Sequence, residues 1–314
     1  MTKKLRFGTG VFSVALVVAV VGATAGAASA HGRGHRHHHA RSYVALGDSL
    51  AFGYSELLED PWIPEQFVGY PEVIGQRTGM TVTNLACPGQ TAPALLSRDA
   101  PDNGCFDLRD FAASEGFPVL HTDYAGTQLE AALDLVRSDA PPSLVSIQGG
   151  GNDWFLCGPG REDPNVDIKT CLDESLPVVA ASLGGIATQL RDAGYRGPIV
   201  FVGYHLVEGF EGQLRRLDRT IEQAARDADV AYADAARPFR RYAKHRGGGL
   251  CTAGLLVALP DGSCDPLHPS LIGHELVATA VLEAAGNDRR GNGHGDCHRH
   301  EHESRHRGRN GHHG

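Results

Sequence analysis

The sequence predicts an α/β protein in which helices cover both faces of a parallel sheet. Five short β-rich runs recur between residues 42 and 286, and amphipathic helical patterns fall between them. A further observation points to where function lies. After the first four runs the chain passes at once into glycine and polar residues, and ligands of parallel sheets sit beyond the carboxyl ends of the strands.

The first run, YVAL at 43–46, leads into Gly47-Asp48-Ser49. The second, TVTNL at 81–85, leads into ACPGQT at 86–91. A helical pattern follows at 127–138, with apolar residues at 129, 132, 133 and 136. The third and fourth runs, LVSIQ at 144–148 and IVFVG at 199–203, are almost unbroken apolar segments, as strands covered on both faces should be. They open into GGGNDW at 149–154 and YHLVEG at 204–209. Helical spacing returns at 206–228, the fifth run is VAYA at 230–233, and the last helix pattern covers 270–286, directly after DPLHPS at 265–270. The proline-bearing segment 55–71 reads as a rim or lid over the strand ends.

The two ends differ in kind. Lys3, Lys4 and Arg6 precede an apolar stretch at 11–21 and the small residues Ala-Ala-Ser-Ala at 27–30, the pattern of a signal peptide over 1–30. The apolar stretch is shorter than the about 20 residues a spanning helix needs, so no stable membrane anchor is expected after cleavage. Twelve of the 17 histidines lie in two low-complexity segments, 31–41 and 287–314, which have little to bury and are expected to be disordered. These tails suit loose binding of Zn, Cu or Ni through imidazole. His298, Glu301 and His302 match an H-x-x-E-H pattern, but that motif works on a packed helix and here lies among Gly, Arg and His, so it reads as coincidence. The folded domain is therefore expected over 42–286. A net charge of −8 and the lack of a basic stripe in the folded part argue against a nucleic-acid partner.

Six of seven cysteines fall inside that domain as three couples, Cys87 and Cys105, Cys157 and Cys171, Cys251 and Cys264, with Cys297 left in the tail. Six cysteines allow 15 pairings, of which neighbour pairing is the simplest, each bridge stapling a loop. No C-x-x-C occurs and no couple has close ligand spacing, so no metal is expected in the core.

The strand-end residues form a constellation for nucleophilic catalysis. Ser49 is a hydroxyl that needs a base, and His268 is the candidate base. Asp265, three residues earlier, is close enough to orient the imidazole through Nδ1. Backbone N–H groups at Ser49 and Gly89 and the Asn152 amide are candidate donors for an oxyanion. Gly149 to Gly151 lack the Lys-Ser/Thr of a phosphate loop and the register of a dinucleotide fingerprint. Among the other core histidines, His205 reads as a substrate contact and His274 as a surface or packing residue of the last helix. Asp153 reads as a helix cap, and Trp154 and Phe155 as either an acyl-chain wall or packing against the 157–171 loop.

GDSL at 47–50, the glycine of NLACPGQT, GGND at 150–153 and DPLHP at 265–269 resemble, in order, the four blocks of the SGNH (GDSL) hydrolases. The resemblance implies a three-layer α/β/α sandwich with a five-stranded parallel, flavodoxin-like sheet and a serine esterase or lipase mechanism without a cofactor. By position it makes Ser49 the nucleophile, His268 the base, Asp265 its orienter, and Ser49, Gly89 and Asn152 the oxyanion donors. Export and three bridged couples are similar to the secreted actinobacterial members. The α/β-hydrolase fold would instead want G-x-S-x-G well inside the chain, with acid and base on separate loops. A secreted hydrolase of lipid or small acyl esters is expected. The alternatives are a carbohydrate O-acetylesterase with the same triad and an exported His-rich metal-binding protein.

Overall fold

The computed structural model describes residues 41–58, 62–160, 165 and 167–291, with side chains as far as 286. The signal sequence, the H-x-x-E-H pattern, Cys297 and all but the first edge of the histidine-rich segments lie outside the described residues.

Five strands, β1 (Ser42–Leu46), β2 (Thr81–Asn84), β3 (Leu144–Ile147), β4 (Ile199–Val202) and β5 (Ala231–Ala233), form one parallel sheet in the order β2-β1-β3-β4-β5. All five expected runs are therefore strands, each within a residue of its expected limits.

Strand alternation sends successive side chains to opposite faces. Val44, Leu46, Val145, Ile147, Ile199 and Phe201 pack against α4 (Gln128–Arg137), α6 (Ile168–Asp192) and α7 (Glu211–Asp227). Tyr43, Ala45, Leu144, Val200 and Val202 pack on the other face, against α2 (Tyr70–Thr78), α8 (Ala236–Lys244) and α9 (Leu271–Gly291). Fully burying a side chain such as Phe201 or Ile147 contributes about 1.5–3 kcal/mol. This is a three-layer α/β/α sandwich. The one polar side chain on the described part of β3, Ser146, is matched by the hydroxyls of Tyr43 at 2.6 Å and Tyr70 at 3.3 Å.

Several elements differ from the sequence reading. α7 starts at Glu211 rather than 206, because Gly209 with φ +81° and a turn precede it. α9 runs on to Gly291, past the expected limit at 286. The 25-residue α6 escapes the periodic reading because Pro177 and the pair Gly184-Gly185 interrupt its pattern; Pro177 sits on the exposed side, where packing on the core holds the helix together.

In segment 55–71 the described residues, 55–58 and 62–71, are packed rather than loose. They carry two single 3-10 turns, Glu56–Leu58 and Pro64–Gln66, and bury Pro64, Phe67 and Tyr70 in the core. Trp62 Nε1 also donates to Val119 O at 2.9 Å. DPLHP is likewise no loop: β7 (Cys264–Pro269) pairs with β6 (Leu256–Ala258) as an antiparallel hairpin with an irregular register.

Three disulfides join Cys87 to Cys105, Cys157 to Cys171 and Cys251 to Cys264, the neighbour pairing. The first two reach from a strand-end element into helices, since Cys105 opens α3 (Cys105–Glu115) and Cys171 lies in the first turn of α6. Replacing Cys251 and Cys264 together by serine is expected to lower the unfolding free energy by about 3 kcal/mol, the entropy of a closed loop of this length, read as a shifted denaturant midpoint.

Candidate active site

The place of Ser49, the expected nucleophile, is set by how β1 ends. Gly47 follows the last strand residue, and a Cβ there would come within 2.8 Å of Ala51 Cβ and 3.0 Å of Gln148 O. Gly47 O still accepts the Cys87 N–H at 3.1 Å, and the buried carboxamide of Gln128 completes the turn: Gly47 N–H donates to Oε1 at 2.7 Å, and Nε2 donates to Gly47 O at 2.8 Å. Asp48 then caps the short α1 (Ser49–Phe52), its Oδ1 accepting the Leu50 N–H at 3.0 Å. Asp48 rather than Ser49 is the cap. The Ser49 hydroxyl is left to His268, whose Nε2 lies 3.1 Å away.

His268 is held from its other side. Its Nδ1 meets Asp265 Oδ2 at 2.5 Å, while Asp265 Oδ1 accepts the backbone N–H groups of Leu267 at 2.8 Å and His268 at 3.3 Å. This local turn within β7 lets residues three apart in a strand face one another. Burial pushes Asp265 up, but the hydrogen bond and charge of His268 and the two amides outweigh it and hold the carboxyl below its usual range. An ionised Asp265 selects the tautomer with its proton on Nδ1, so Nε2 can accept the serine proton.

The expected oxyanion donors converge on the same cleft. Gly89 sits at φ +85°, and a Cβ there would lie 2.2 Å from Asn103 O, so only glycine fits. Among the described residues the N–H groups of Ser49 and Gly89 have no hydrogen-bond partner. Asn152, in the first turn of α5 (Gly151–Cys157), donates from Nδ2 to Gln90 O at 3.0 Å and accepts at Oδ1 from Asn103 Nδ2 at 3.0 Å. Those bonds fix the amide plane and leave one Nδ2 hydrogen for a ligand. Ser49, Gly89, Asn152 and His268 line one cavity of about 380 Å³. Apolar groups form much of its wall, including Tyr54, Trp62, Leu108, Val207, Leu214 and Leu267.

Other residues take places the sequence left open or misassigned. Trp154 and Phe155 line the cavity, and Trp154 also packs edge-on against Phe210. Asp153 does not cap α5, whose cap position is Gly150 at φ +112°; its Oδ2 accepts the Ala92 N–H at 2.8 Å, and burial pushes its carboxyl up to about 6. His205 lines the cavity but is held by protein, with Nε2 3.4 Å from Pro266 O and its ring stacked on Phe239. Burial lowers it to about 4, so it stays neutral at working pH. His274 is a packing residue, lowered by burial to about 3. Sequence reading left Ser49 and Asp48 both open as the cap, and it missed Gln128 and the hydroxyl of Tyr204, although Tyr204 opens the YHLVEG segment after the fourth run.

Among the described residues no group of three or more His, Cys, Asp or Glu could hold a metal ion. None of the described helices is long and apolar enough to cross a membrane.

The chain is similar to several proteins of known structure. A phospholipase A1 from Streptomyces albidoflavus is 17% identical, with 79% of this chain and 100% of that chain covered and a TM-score of 0.48. An acetylxylan esterase from Geobacillus stearothermophilus, in a catalytic mutant form, is 18% identical, covering 78% and 94% at 0.48. An α/β hydrolase from the Lake Arreo metagenome is 17% identical, covering 79% and 97% at 0.48. No curated protein matches the chain. The model of the GDSL-like Lipase/Acylhydrolase family matches residues 45–276, a span that contains all four sequence blocks. On that match the chain belongs to the GDSL-like lipase/acylhydrolase family of ester hydrolases.

Proposed function

We propose that the protein is a secreted serine hydrolase of acyl esters, acting on lipids or small esters with an apolar acyl chain through an acyl-enzyme. The observation that carries the reading is the unbroken hydrogen-bond chain Ser49–His268–Asp265 opening on an apolar cavity. In this reading His268 takes the Ser49 proton as Oγ attacks the ester carbonyl carbon. The resulting oxyanion accepts from the Ser49 and Gly89 N–H groups and from Asn152. Collapse of the intermediate breaks the ester C–O bond, and His268 returns the proton to the leaving alcohol. Water, deprotonated by the same imidazole, then attacks the acyl-serine; the bond from the acyl carbon to Ser49 Oγ breaks, the acid is freed, and His268 returns the proton to Oγ. Asp265 stays ionised throughout and stabilises the imidazolium.

Three disulfides agree with an oxidising compartment, and so does the leader read at 1–30. The aromatic and aliphatic wall favours a hydrocarbon chain over an acetyl group, since burying each CH₂ contributes about 0.8 kcal/mol.

A fluorophosphonate probe is expected to label Ser49 alone, located by peptide mass spectrometry, and Ser49→Ala is expected to lose both labelling and hydrolysis while keeping its fold. An alanine variant with full turnover would remove the mechanism. On p-nitrophenyl esters of rising length, kcat/KM should climb beyond acetate; activity confined to acetate would assign the site to carbohydrate O-acetyl groups instead. Asn152→Ala should lower kcat roughly 10²- to 10³-fold with KM nearly constant, as loss of one oxyanion donor does. A change in KM alone would make Asn152 a substrate-binding residue.

A further inference from the structure

We propose that Tyr204 is a positioning residue that, through Asp48, locks the turn carrying the nucleophile to the helix carrying the oxyanion amide. The proposal rests on the ester-hydrolase reading for its kinetic consequence, but its geometry is independent of it. The Tyr204 hydroxyl donates to Asp48 Oδ2 at 2.5 Å and accepts the Gly151 N–H at 3.0 Å. Asp48 immediately precedes Ser49, and Gly151 immediately precedes Asn152. One hydroxyl therefore bridges the two segments that must keep a fixed separation around a tetrahedral intermediate. The backbone that carries the ring is itself anchored, because the Tyr204 N–H donates to Asp218 Oδ1 of α7 at 2.9 Å.

Local packing is built for this contact. A Cβ on Gly151 would lie 2.6 Å from Tyr204 Cε1 and 3.0 Å from Asp48 Oδ2, so the third glycine of GGGND is needed for the tyrosine and the carboxylate to approach the start of the helix. Asp48 is 1% exposed and Tyr204 4% exposed. Among the described residues no cation forms an ion pair with Asp48. An unpaired buried carboxylate is costly unless donors reach it, and here two do: the Leu50 N–H on Oδ1 and the Tyr204 hydroxyl on Oδ2.

The charge so held has a use beyond the cap. The ionisable groups that face Asp48 are Tyr204, His268, Asp153 and Tyr70. Burial pushes Asp48 up to about 6; the Tyr204 hydrogen bond is the largest influence opposing that rise, followed by the Leu50 amide and His268, while Asp153 adds to it. At neutral pH Asp48 is thus an anion in electrostatic contact with His268, the ring that takes the proton when Ser49 attacks. Losing the tyrosine hydroxyl raises Asp48 further, toward the neutral acid at pH 7. It also orphans the Gly151 N–H beside Asn152.

The sign of the pH effect follows. A carboxyl whose value moves up is protonated over a wider range, so the activity it supports is lost at neutral pH and returns as pH rises. Tyr204→Phe is isosteric apart from the hydroxyl. It is expected to lower kcat at pH 7 roughly 10- to 100-fold, the worth of a hydrogen bond to a charged group, with KM nearly unchanged. The acid limb of its kcat profile, followed from about pH 5 to about pH 9, should move to higher pH. In an Asp48→Asn background, which has no carboxyl to titrate, Tyr204→Phe should leave the limb where it was. A second measurement needs no turnover. In protein carrying ¹³C-labelled aspartate, the carboxyl resonance assigned by its loss in Asp48→Asn should titrate at higher pH in Tyr204→Phe than in the wild type. An unmoved Asp48 titration would overturn the proposal, as would a Tyr204→Phe enzyme with wild-type kcat or with a loss equal at every pH. If the wild type leaves Ser49 unlabelled by phosphonate, the ester-hydrolase reading fails, and the carboxyl titration still decides the link between Tyr204 and Asp48.

Discussion

The hydrogen bond between Ser49 Oγ and His268 Nε2 joins residues 219 apart in sequence, and much of the architecture can be understood as holding its two ends still. One end is the first turn after β1, a strand buried on both faces with neighbours on each side. The other is the β6–β7 hairpin, which belongs to no part of the main sheet. A hairpin of two short strands is marginal by itself. Here it is tied by the Cys251–Cys264 bridge at its start, by His205 against Pro266 O, and by α9, which follows directly. Without such ties an imidazole so far along the chain would sample many positions around the serine.

The carboxyl end of a parallel sheet poses a second difficulty, because backbone groups run out of ladder partners where the catalytic turns must begin. Buried N–H and C=O groups need partners, and side chains supply them here. Gln128 closes both backbone groups of Gly47, Asp48 takes the Leu50 N–H, Asn84 takes the Ala86 N–H, and Asp153 takes the Ala92 N–H. Gln128 Nε2 also lies 3.3 Å from Gln90 Oε1, and Gln90 O accepts from Asn152. Four turns from distant parts of the chain are thereby joined in one polar layer between the apolar core and the cleft. The Ser49 and Gly89 amides stand apart from that layer, open toward the cavity, and unpartnered donors of this kind are what a developing negative charge requires.

The parallel sheet was legible because its signal is local: β-rich runs of four or five residues, the third and fourth almost wholly apolar and bounded by glycine or proline, alternate with amphipathic helical patterns. The site residues were legible because each stands directly after a strand or before the last helix, where polar residues have no packing reason to gather. Gln128 was not legible. It opens α4 in a sequence whose periodicity explains it fully as a helix position, and only the fold brings that position to Gly47. Asp153 was read as a cap because aspartate often is one, yet the left-handed Gly150 already starts α5 and tertiary contact with Ala92 claims the carboxylate. The 55–71 segment was legible only in part: Trp62 does line the cavity, as a rim residue would. Its prolines signal loop, but Phe67 and Tyr70 bury aromatic surface that no local pattern announces.

The disulfides complete the same logic. Cys87 stands two residues before Gly89, Cys157 closes the short helix that begins next to Asn152, and Cys264 directly precedes Asp265. Each bridge thus fastens one of the three segments that complete the site around Ser49. Those segments are short turns, a seven-residue helix and a small hairpin, the kinds of element that open locally at the lowest free energy. The turn bearing Ser49 has no half-cystine. It emerges from the central part of the sheet with Gln128, Asp48 and Tyr204 around it, and noncovalent contacts suffice there. Covalent bracing is therefore distributed inversely to the support each segment draws from the sheet, which accounts for three bridges in a domain whose core is already extensive.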